Sequence, residues 1–386
     1  MDRRSFLRQV GSASVALTAG CLGSGEGDSG SSSGYDIETV VGGLTEPWGI
    51  EFIDDRRCLV TGRRGSLSLI DVGSGTAEGV EGVPEVYVAG QGGLLDVEVH
   101  PNYPDDPRVY LTYSATDTEG KSATHVGAGR LDDDTPRLEE FEVLHVAEPF
   151  VDSNNHYGSR ATFGEDRSLY VTSGDRQFKN FGSDHIAQRL DNQLGAVLRL
   201  EDDGSVPSDN PFVDGEGADA VYSYGHRNPQ GLTVHPETGE IWETEHGERD
   251  GDEINVIEKG ENYGWPVATE ACEYNTDIPV GVSHSEREDV VSPVYVWECG
   301  TGGFPPSGAD FYDGDLFEDW QGDLLVGNLA GRVLGRFEVD GRDVEQVDTL
   351  LEDRGWRVRD VAVGDDGYVY LVYDGDGVPL VRLVPE

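Results

Sequence analysis

Gly231-Leu232-Thr233-Val234, the turn His235-Pro236-Glu237-Thr238-Gly239, and then Ile241-Trp242-Glu243-Thr244 form the stretch whose reading decides the fold. Two short runs of strand-forming residues flank a turn rich in Pro, Glu and Gly, which reads as an antiparallel strand pair. The phrase recurs along the chain. First strands are read at Gly49–Phe52, Asp96–Val99, Arg160–Phe163, Gly231–Val234, Gly308–Phe311 and Asp360–Val363. Their partners are Cys58–Thr61, Val109–Tyr113, Leu169–Thr172, Ile241–Thr244, Asp323–Gly327 and Val369–Val372. Six units spaced 47 to 77 residues apart suit four-stranded blades with variable loops. The predicted fold is all-β: a six-bladed β-propeller of four-stranded antiparallel blades over residues 36–386. A closed ring leaves no long exposed strand edge. A β-sandwich is the rival, but it does not account for the recurring phase. The terminal blade is expected to pair strands from both chain ends.

Composition narrows the function. Asp and Glu total 75 against 28 Lys and Arg, a formal net charge of −47. Such a surface excludes nucleic acid, whose phosphates require basic contacts. Disorder, the other reading of an acidic chain, is opposed by the regular apolar strands and by 6 Trp, 16 Tyr and 12 Phe. A folded protein adapted to high salt is predicted, because multimolar salt screens carboxylate repulsion within a few ångströms. The source is therefore expected to be halophilic.

The N-terminus reads as an address. Arg3-Arg4-Ser5-Phe6-Leu7 resembles a twin-arginine export signal, and the apolar stretch Val10 to Ala19 is short for a membrane span. Leu17-Thr18-Ala19-Gly20-Cys21 resembles a lipobox whose cysteine is lipidated, and residues 22–35 form a Gly/Ser-rich tether. The expectation is a signal over residues 1–21 and an exported protein lipid-anchored through Cys21 to the outer face of the membrane. Cys272 and Cys299 lie in one long insertion, where a disulfide suits an oxidising compartment, and Cys58 reads as a buried thiol.

Repeat phase also locates chemistry. Gln91; Asn155, His156 and Arg160; Arg227 and Asn228; and Arg357 and Arg359 all fall just before, or at the start of, first strands. Equivalent positions in successive blades face one end of the central channel, so these residues are predicted to converge on one mouth. His156 there is a candidate proton acceptor. Arg227 offers a planar donor fork, and Arg357 and Arg359 alternate along a strand start so that both face the same way. Arginines facing a channel call for an anionic ligand or carboxylate partners. Glu245 to Asn255 is dense in hard oxygen ligands. Composition alone leaves it open between a calcium loop and a solvated acidic loop.

The runs Gln91-Gly92-Gly93-Leu94-Leu95, Asn155-His156-Tyr157-Gly158, Tyr224 to Gly231, Glu245 to Asn255 and Asn262-Tyr263-Gly264-Trp265-Pro266 occur in this order. Together they resemble the soluble glucose and aldose-sugar dehydrogenases that depend on pyrroloquinoline quinone (PQQ), and the resemblance covers essentially everything after Tyr35. It implies oxidation of an aldose at its anomeric carbon to a lactone. His156 is the implied general base, with Gln91 and Arg227 at the quinone and substrate oxygens. Asn228, Arg357 and Arg359 are implied PQQ contacts, and Arg160 and Asn155 are read with them as cofactor-binding. The Gly247 and Glu248 carbonyls are implied ligands of the calcium at PQQ, and Glu253 and the Tyr263 carbonyl of a structural calcium.

Three departures from the family pattern stand out. Asn155 replaces an Asp, so another group is needed to orient His156. Ala330 replaces a PQQ-contacting lysine, with Arg332 as a possible substitute. Glu248 replaces a Pro. The first two resemble the aldose-dehydrogenase branch, whose sugar range is wider than glucose. The electron acceptor is unknown from sequence. The alternatives are a calcium-dependent propeller lactonase and a PQQ-free cell-surface binding propeller. The arginines count against the first, and the joint presence of Gln91, His156, Arg227 and Asn228 against the second.

Overall fold

A computed structural model describes residues 34–213, 215 and 217–386, so the predicted signal, lipobox and most of the tether lie outside the described residues. Strand β1 is Tyr35–Thr45. Blade 1 comprises β2 (Pro47–Phe52), β3 (Arg57–Gly62), β4 (Ser66–Asp71) and β5 (Thr76–Gly79). Blade 2 comprises β6 (Leu94–Val99), β7 (Arg108–Thr116), β8 (Ser122–Asp132) and β9 (Arg137–Val146). Blade 3 is built from β10 (Ala161–Phe163), β11 (Leu169–Ser173), β12 (Ala196–Leu200) and β13 (Val221–Tyr224). Blade 4 has β14 (Pro229–Val234), β15 (Ile241–Glu245), β16 (Asp252–Val256) and β17 (Tyr295–Trp297). Blade 5 has β18 (Pro306–Phe311), β19 (Leu324–Asn328), β20 (Leu334–Asp340) and β21 (Asp343–Leu350). Blade 6 has β22 (Val358–Val363), β23 (Val369–Tyr373) and β24 (Asp376–Pro385), and β1 adds its fourth strand.

The predicted propeller is therefore present, six antiparallel four-stranded sheets closed by β1 pairing with β24 from Tyr35↔Pro385 to Thr45↔Asp376. Apolar residues on the second strands, among them Val60, Leu111, Val171, Val326 and Leu371, are buried between blades. Beside them a hydroxyl repeats. Thr61, Thr112, Thr172 and Thr244 donate to the Leu95, Ser159, Pro229 and Ser307 carbonyls of the next blade, at 2.5, 2.6, 3.4 and 3.2 Å. Blade 5 has Gly327 at this register, and Ser307 Oγ donates instead to the Val358 carbonyl at 2.7 Å. Cys272 and Cys299 form a disulfide, and Cys58 is a buried free thiol.

One layer of the inner strands closes the channel. Strand register aligns Gly49, Asp96, Arg160, Gly231, Gly308 and Asp360. The Arg160 guanidinium donates to Asp96 Oδ1 at 2.8 Å and Asp360 Oδ2 at 2.7 Å, and its Nε donates to the Gln230 carbonyl at 2.9 Å. Gly308 makes room, since a Cβ there would lie 1.6 Å from Asp360 Oδ1. Two residues further along, the channel is lined by Glu51, Glu98 and Asp310 around a cavity of 400 Å³. Burial and the Asp96 charge push Glu98 up to about 8, and burial, with Asp313 adding, pushes Asp310 up to about 7.

These folded-state values exceed the ordinary ones, so the stability they confer is complete at low pH and is lost as pH rises through the folded values. Lowering the pH from about 8.5 to about 6 at fixed salt should raise Tm. Glu98→Gln should raise Tm at the upper pH and shrink the pH response, measured by circular dichroism melts. A Tm that falls over the same range would refute the assignment.

Candidate active site

The mouth of the channel lies on the other side of the Arg160 layer. It holds a cavity of 340 Å³ whose lining includes Trp48, Gln91, Gln230, His246, Arg357 and Arg359. Two kinds of position build it. One is the approach to each first strand, as the sequence predicts. The other is the residue two beyond the Thr61, Thr244 and Gly327 register on the second strands, which gives Arg63, His246 and Leu329, with Asp374 at the matching place in blade 6 behind Arg357 and Arg359. An antiparallel neighbour returns to the end where the first strand began, so its exit is also at the mouth. A polar side chain just after an apolar second strand was the available signal for Arg63, His246 and Asp374.

His156 is held by a residue that likewise follows a second strand, one place further on. Its Nδ1 lies 2.7 Å from Asp175 Oδ1, and its backbone N–H donates to Gln91 Oε1 at 2.7 Å. Asp175 follows β11 and is itself fixed by Trp265 Nε1 at 2.8 Å and by the Gln177 N–H at 2.7 Å. With Asp175 accepting from Nδ1–H, the proton-free nitrogen of a neutral ring is Nε2. Burial lowers the imidazole's pKa, and the Arg227 charge adds to this, against the opposing pull of Asp175. Burial would raise the Asp175 carboxyl, but the His156 and Arg227 interactions outweigh it and hold it below its usual value. The result is a neutral base beside a charged carboxylate.

The backbone is strained where this pair is mounted. His156 has φ 47°, Ser159 76°, Arg176 57° and Gln177 63°, all in the left-handed region that non-glycine residues avoid. The two loops touch at Gly174, where a Cβ would sit 2.4 Å from the His156 carbonyl oxygen. Asn155 does not hold the ring: its amide donates to Gln177 Oε1 at 3.0 Å. The orienting group that the sequence left unassigned is Asp175.

Arg227 is buried behind the mouth. Its Nη2 pairs with Glu248 Oε2 at 2.7 Å, its Nη1 donates to the His246 carbonyl at 3.1 Å, and its Nε has no partner. Glu248 also pairs with Lys179 at 2.5 Å. Asn228 Oδ1 accepts from the Gly158 N–H at 3.4 Å. His246, unremarked in the sequence, lines the cavity, and its Nε2 donates to the Pro306 carbonyl at 2.6 Å. Burial pushes its pKa down to about 3, so it too is neutral.

Arg357 and Arg359 face the cavity together and share one carboxylate. Their Nε atoms lie 2.9 and 2.8 Å from the two oxygens of Asp374. Two guanidinium charges against one carboxylate leave the rim with a positive excess. Arg160 does not join them. Its donors are spent on Asp96, Asp360 and backbone, and it lines the cavity on the far side of the layer. Strand alternation turns it into the channel, so the sequence reading of Arg160 as a cofactor contact is corrected to a structural ion triad. Ala330 lines the mouth, whereas Arg332 is exposed and does not.

Two oxygen-rich positions fit a cation. Among the described residues no hydrogen bond reaches the carbonyls of Gly247 and Glu248, in a loop pinned by the Gly247 N–H to Asp252 Oδ1 at 3.0 Å. Glu253 Oε1 and the Tyr263 carbonyl lie 3.8 and 3.3 Å from the same atom, His284 Nε2, and so are neighbours.

Known proteins resemble this chain over most of its length. Residues 44–382 match the family model described as Glucose / Sorbosone dehydrogenase. The aldose sugar dehydrogenase YliI of Escherichia coli K12 is 37% identical over 356 residues, covering 91% of this chain and 93% of that protein. A crystal structure of a glucose dehydrogenase superposes with TM-score 0.84 at 39% identity, over 90% of this chain and 99% of the other. The PQQ-bound aldose sugar dehydrogenase of Streptomyces coelicolor superposes with TM-score 0.74 at 26% identity, over 91% and 98%.

The His156–Asp175 pair makes a direct prediction. Asp175→Asn removes the charge that favours the imidazolium, so the His156 pKa, already low, should fall further in NMR titrations. A rise would show that Asp175 is not its main partner.

Proposed function

The chain belongs to the glucose/sorbosone dehydrogenase family, and we propose that it oxidises aldose sugars at the anomeric carbon with PQQ and calcium. The observation that carries this reading is His156, backed by buried Asp175 and bonded through its backbone N–H to Gln91, which lines the cavity rimmed by unbalanced arginines. Such a rim fits a planar ligand bearing several carboxylates. The paired Arg357 and Arg359 would hold those carboxylates, and Asn228 and Arg227 would reach the quinone side, where the unpartnered Arg227 Nε has hydrogen-bonding capacity to spare. The carbonyls of Gly247 and Glu248 would hold the calcium. The chemistry that PQQ would supply there is an electrophilic carbonyl carbon as hydride acceptor, with calcium as its Lewis acid.

The protein's own part is proton transfer and placement. His156 Nε2 accepts the proton of the anomeric hydroxyl, and Asp175 stabilises the imidazolium as it forms. Gln91 is fixed on the His156 backbone and orients hydroxyl oxygens at the mouth. Ala330, in place of a long cationic side chain, widens the cavity, which favours a range of aldoses over glucose alone. Export by a twin-arginine route, anchoring through Cys21 and adaptation to high salt belong to the same proposal. They rest on the sequence alone.

Apoprotein incubated with PQQ and Ca²⁺ in high salt should reduce dye in the presence of aldoses. No sugar-dependent reduction with any aldose by folded protein would sink the reading. Dye-independent hydrolysis of a lactone would replace it with the hydrolase. His156→Ala should lower kcat by about 10²- to 10⁴-fold. Because the His156 pKa is lowered from 6.5, the base form persists through neutrality, and kcat should fall only on the acid side of that value. A pH profile already declining above it would contradict the assigned base.

A further inference from the structure

The face of blade 4 turned toward blade 3 is polar where every other blade is apolar. Across β15 and β16, Glu243 pairs with Asn255 and Glu245 with Glu253, so all four side chains share one side of the sheet. At the register of Glu243 the other blades carry Val60, Leu111, Val171, Val326 and Leu371. Glu243 and Asn255 are each 0% exposed, and Glu245, Glu253 and the facing His226 are buried. One ligand atom each of His226, Glu243 and Glu245 lies within 4.8 Å of the others. Among the described residues, no lysine or arginine side chain is paired with any of the three carboxylates.

The hydrogen bonding is unbalanced in a way that points to a missing positive charge. Glu245 is served by His226 Nδ1 at 3.2 Å and by the Arg227 N–H at 2.5 Å. The Asn255 amide nitrogen faces Glu243 Oε2 at 3.1 Å and both Glu245 Oε1 and Glu253 Oε2 at 3.4 Å, three acceptors for two N–H bonds. Meanwhile Glu243 Oε1 and Asn255 Oδ1 are buried without any partner. Rotating the Asn255 amide by half a turn would place its oxygen among the carboxylates, an arrangement that only a cation makes favourable.

We propose that a divalent cation of calcium type binds between blades 3 and 4. Its ligands are Glu243 and Glu245, with Asn255 Oδ1 and Glu253 Oε2 completing an oxygen shell and His226 Nδ1–H bracing Glu245. An all-oxygen set with three carboxylates suits a hard cation. This position differs from the Gly247–Glu248 carbonyls. It shares only Glu253 with the Tyr263 position, through the other carboxylate oxygen. The ion ties β15 to the chain entering β14, because Glu245 also accepts from the backbone of Arg227.

Crystals of the full chain grown with Ca²⁺ should give an anomalous peak at about 2.3–2.6 Å from Glu243 and Glu245 oxygens. A calcium-saturated crystal with no density there would overturn the proposal, whatever the sugar assay reports. Metal analysis gives an independent arm: folded Glu243→Gln should carry one calcium fewer per chain than wild type. Equal calcium contents would mean that the carboxylates are neutralised by protons alone.

Discussion

A single buried guanidinium holds the ring together. Arg160 leaves blade 3, bonds Asp96 of blade 2 and Asp360 of blade 6, and donates to the Gln230 carbonyl of blade 4. Asp360 in turn accepts from the Ile50 N–H of blade 1 at 3.0 Å, and Gly308 of blade 5 packs against the same carboxylate. All six inner strands therefore meet at one ion triad. Removing one member of such a buried set strands a charge and costs about 3–5 kcal/mol. The layer also partitions the channel. On one side lie neutral imidazoles and excess guanidinium; on the other, carboxylates with no cation of their own. The polarity of the mouth follows from this plug.

Much of this was legible because a propeller repeats. The phase of the first and second strands located the blades, and the same phase brought His156, Gln91, Arg227, Arg357 and Arg359 to one end. What escaped was contributed by the returning strands. Asp175, His246 and Asp374 follow apolar second strands, and that placement is the one local signal they carry among the turn acids that abound in so acidic a chain. Arg160 was misread for a related reason. It shares the start-of-strand position with the mouth residues, but alternation along β10 points it into the channel layer, in register with two aspartates and three glycines. Resemblance supplied the Gly247 and Glu248 carbonyls and the Tyr263 carbonyl proposed for cations, which no spacing of side chains could have marked.

The base and its orienting carboxylate come from two loops that both adopt left-handed backbone. Holding His156 in that conformation costs free energy, and the surrounding contacts offset it: Gln91 on the backbone, Trp265 on Asp175, and Gly174 admitting the close approach. Glu248 is the feature most particular to this chain. Its side chain neutralises Arg227 and recruits Lys179, while its backbone carbonyl is the part proposed to matter for metal. The residue thus combines a side chain that tempers the field at the mouth with a carbonyl whose role is indifferent to that side chain.

The seam between β1 and β24 has a polymer-physics consequence. Joining segments at opposite ends of a chain this long carries a loop-closure entropy cost of about 5 kcal/mol, growing only with the logarithm of length. That cost falls on a single strand pair, whereas every other pairing of named strands among the described residues joins strands consecutive in sequence. The five complete blades can therefore form by short-range contacts, whereas closing the ring requires pairings between distant segments. Without that closure the inner-strand layer has no fixed circumference. The site at the channel mouth is then not merely unfinished but geometrically undefined.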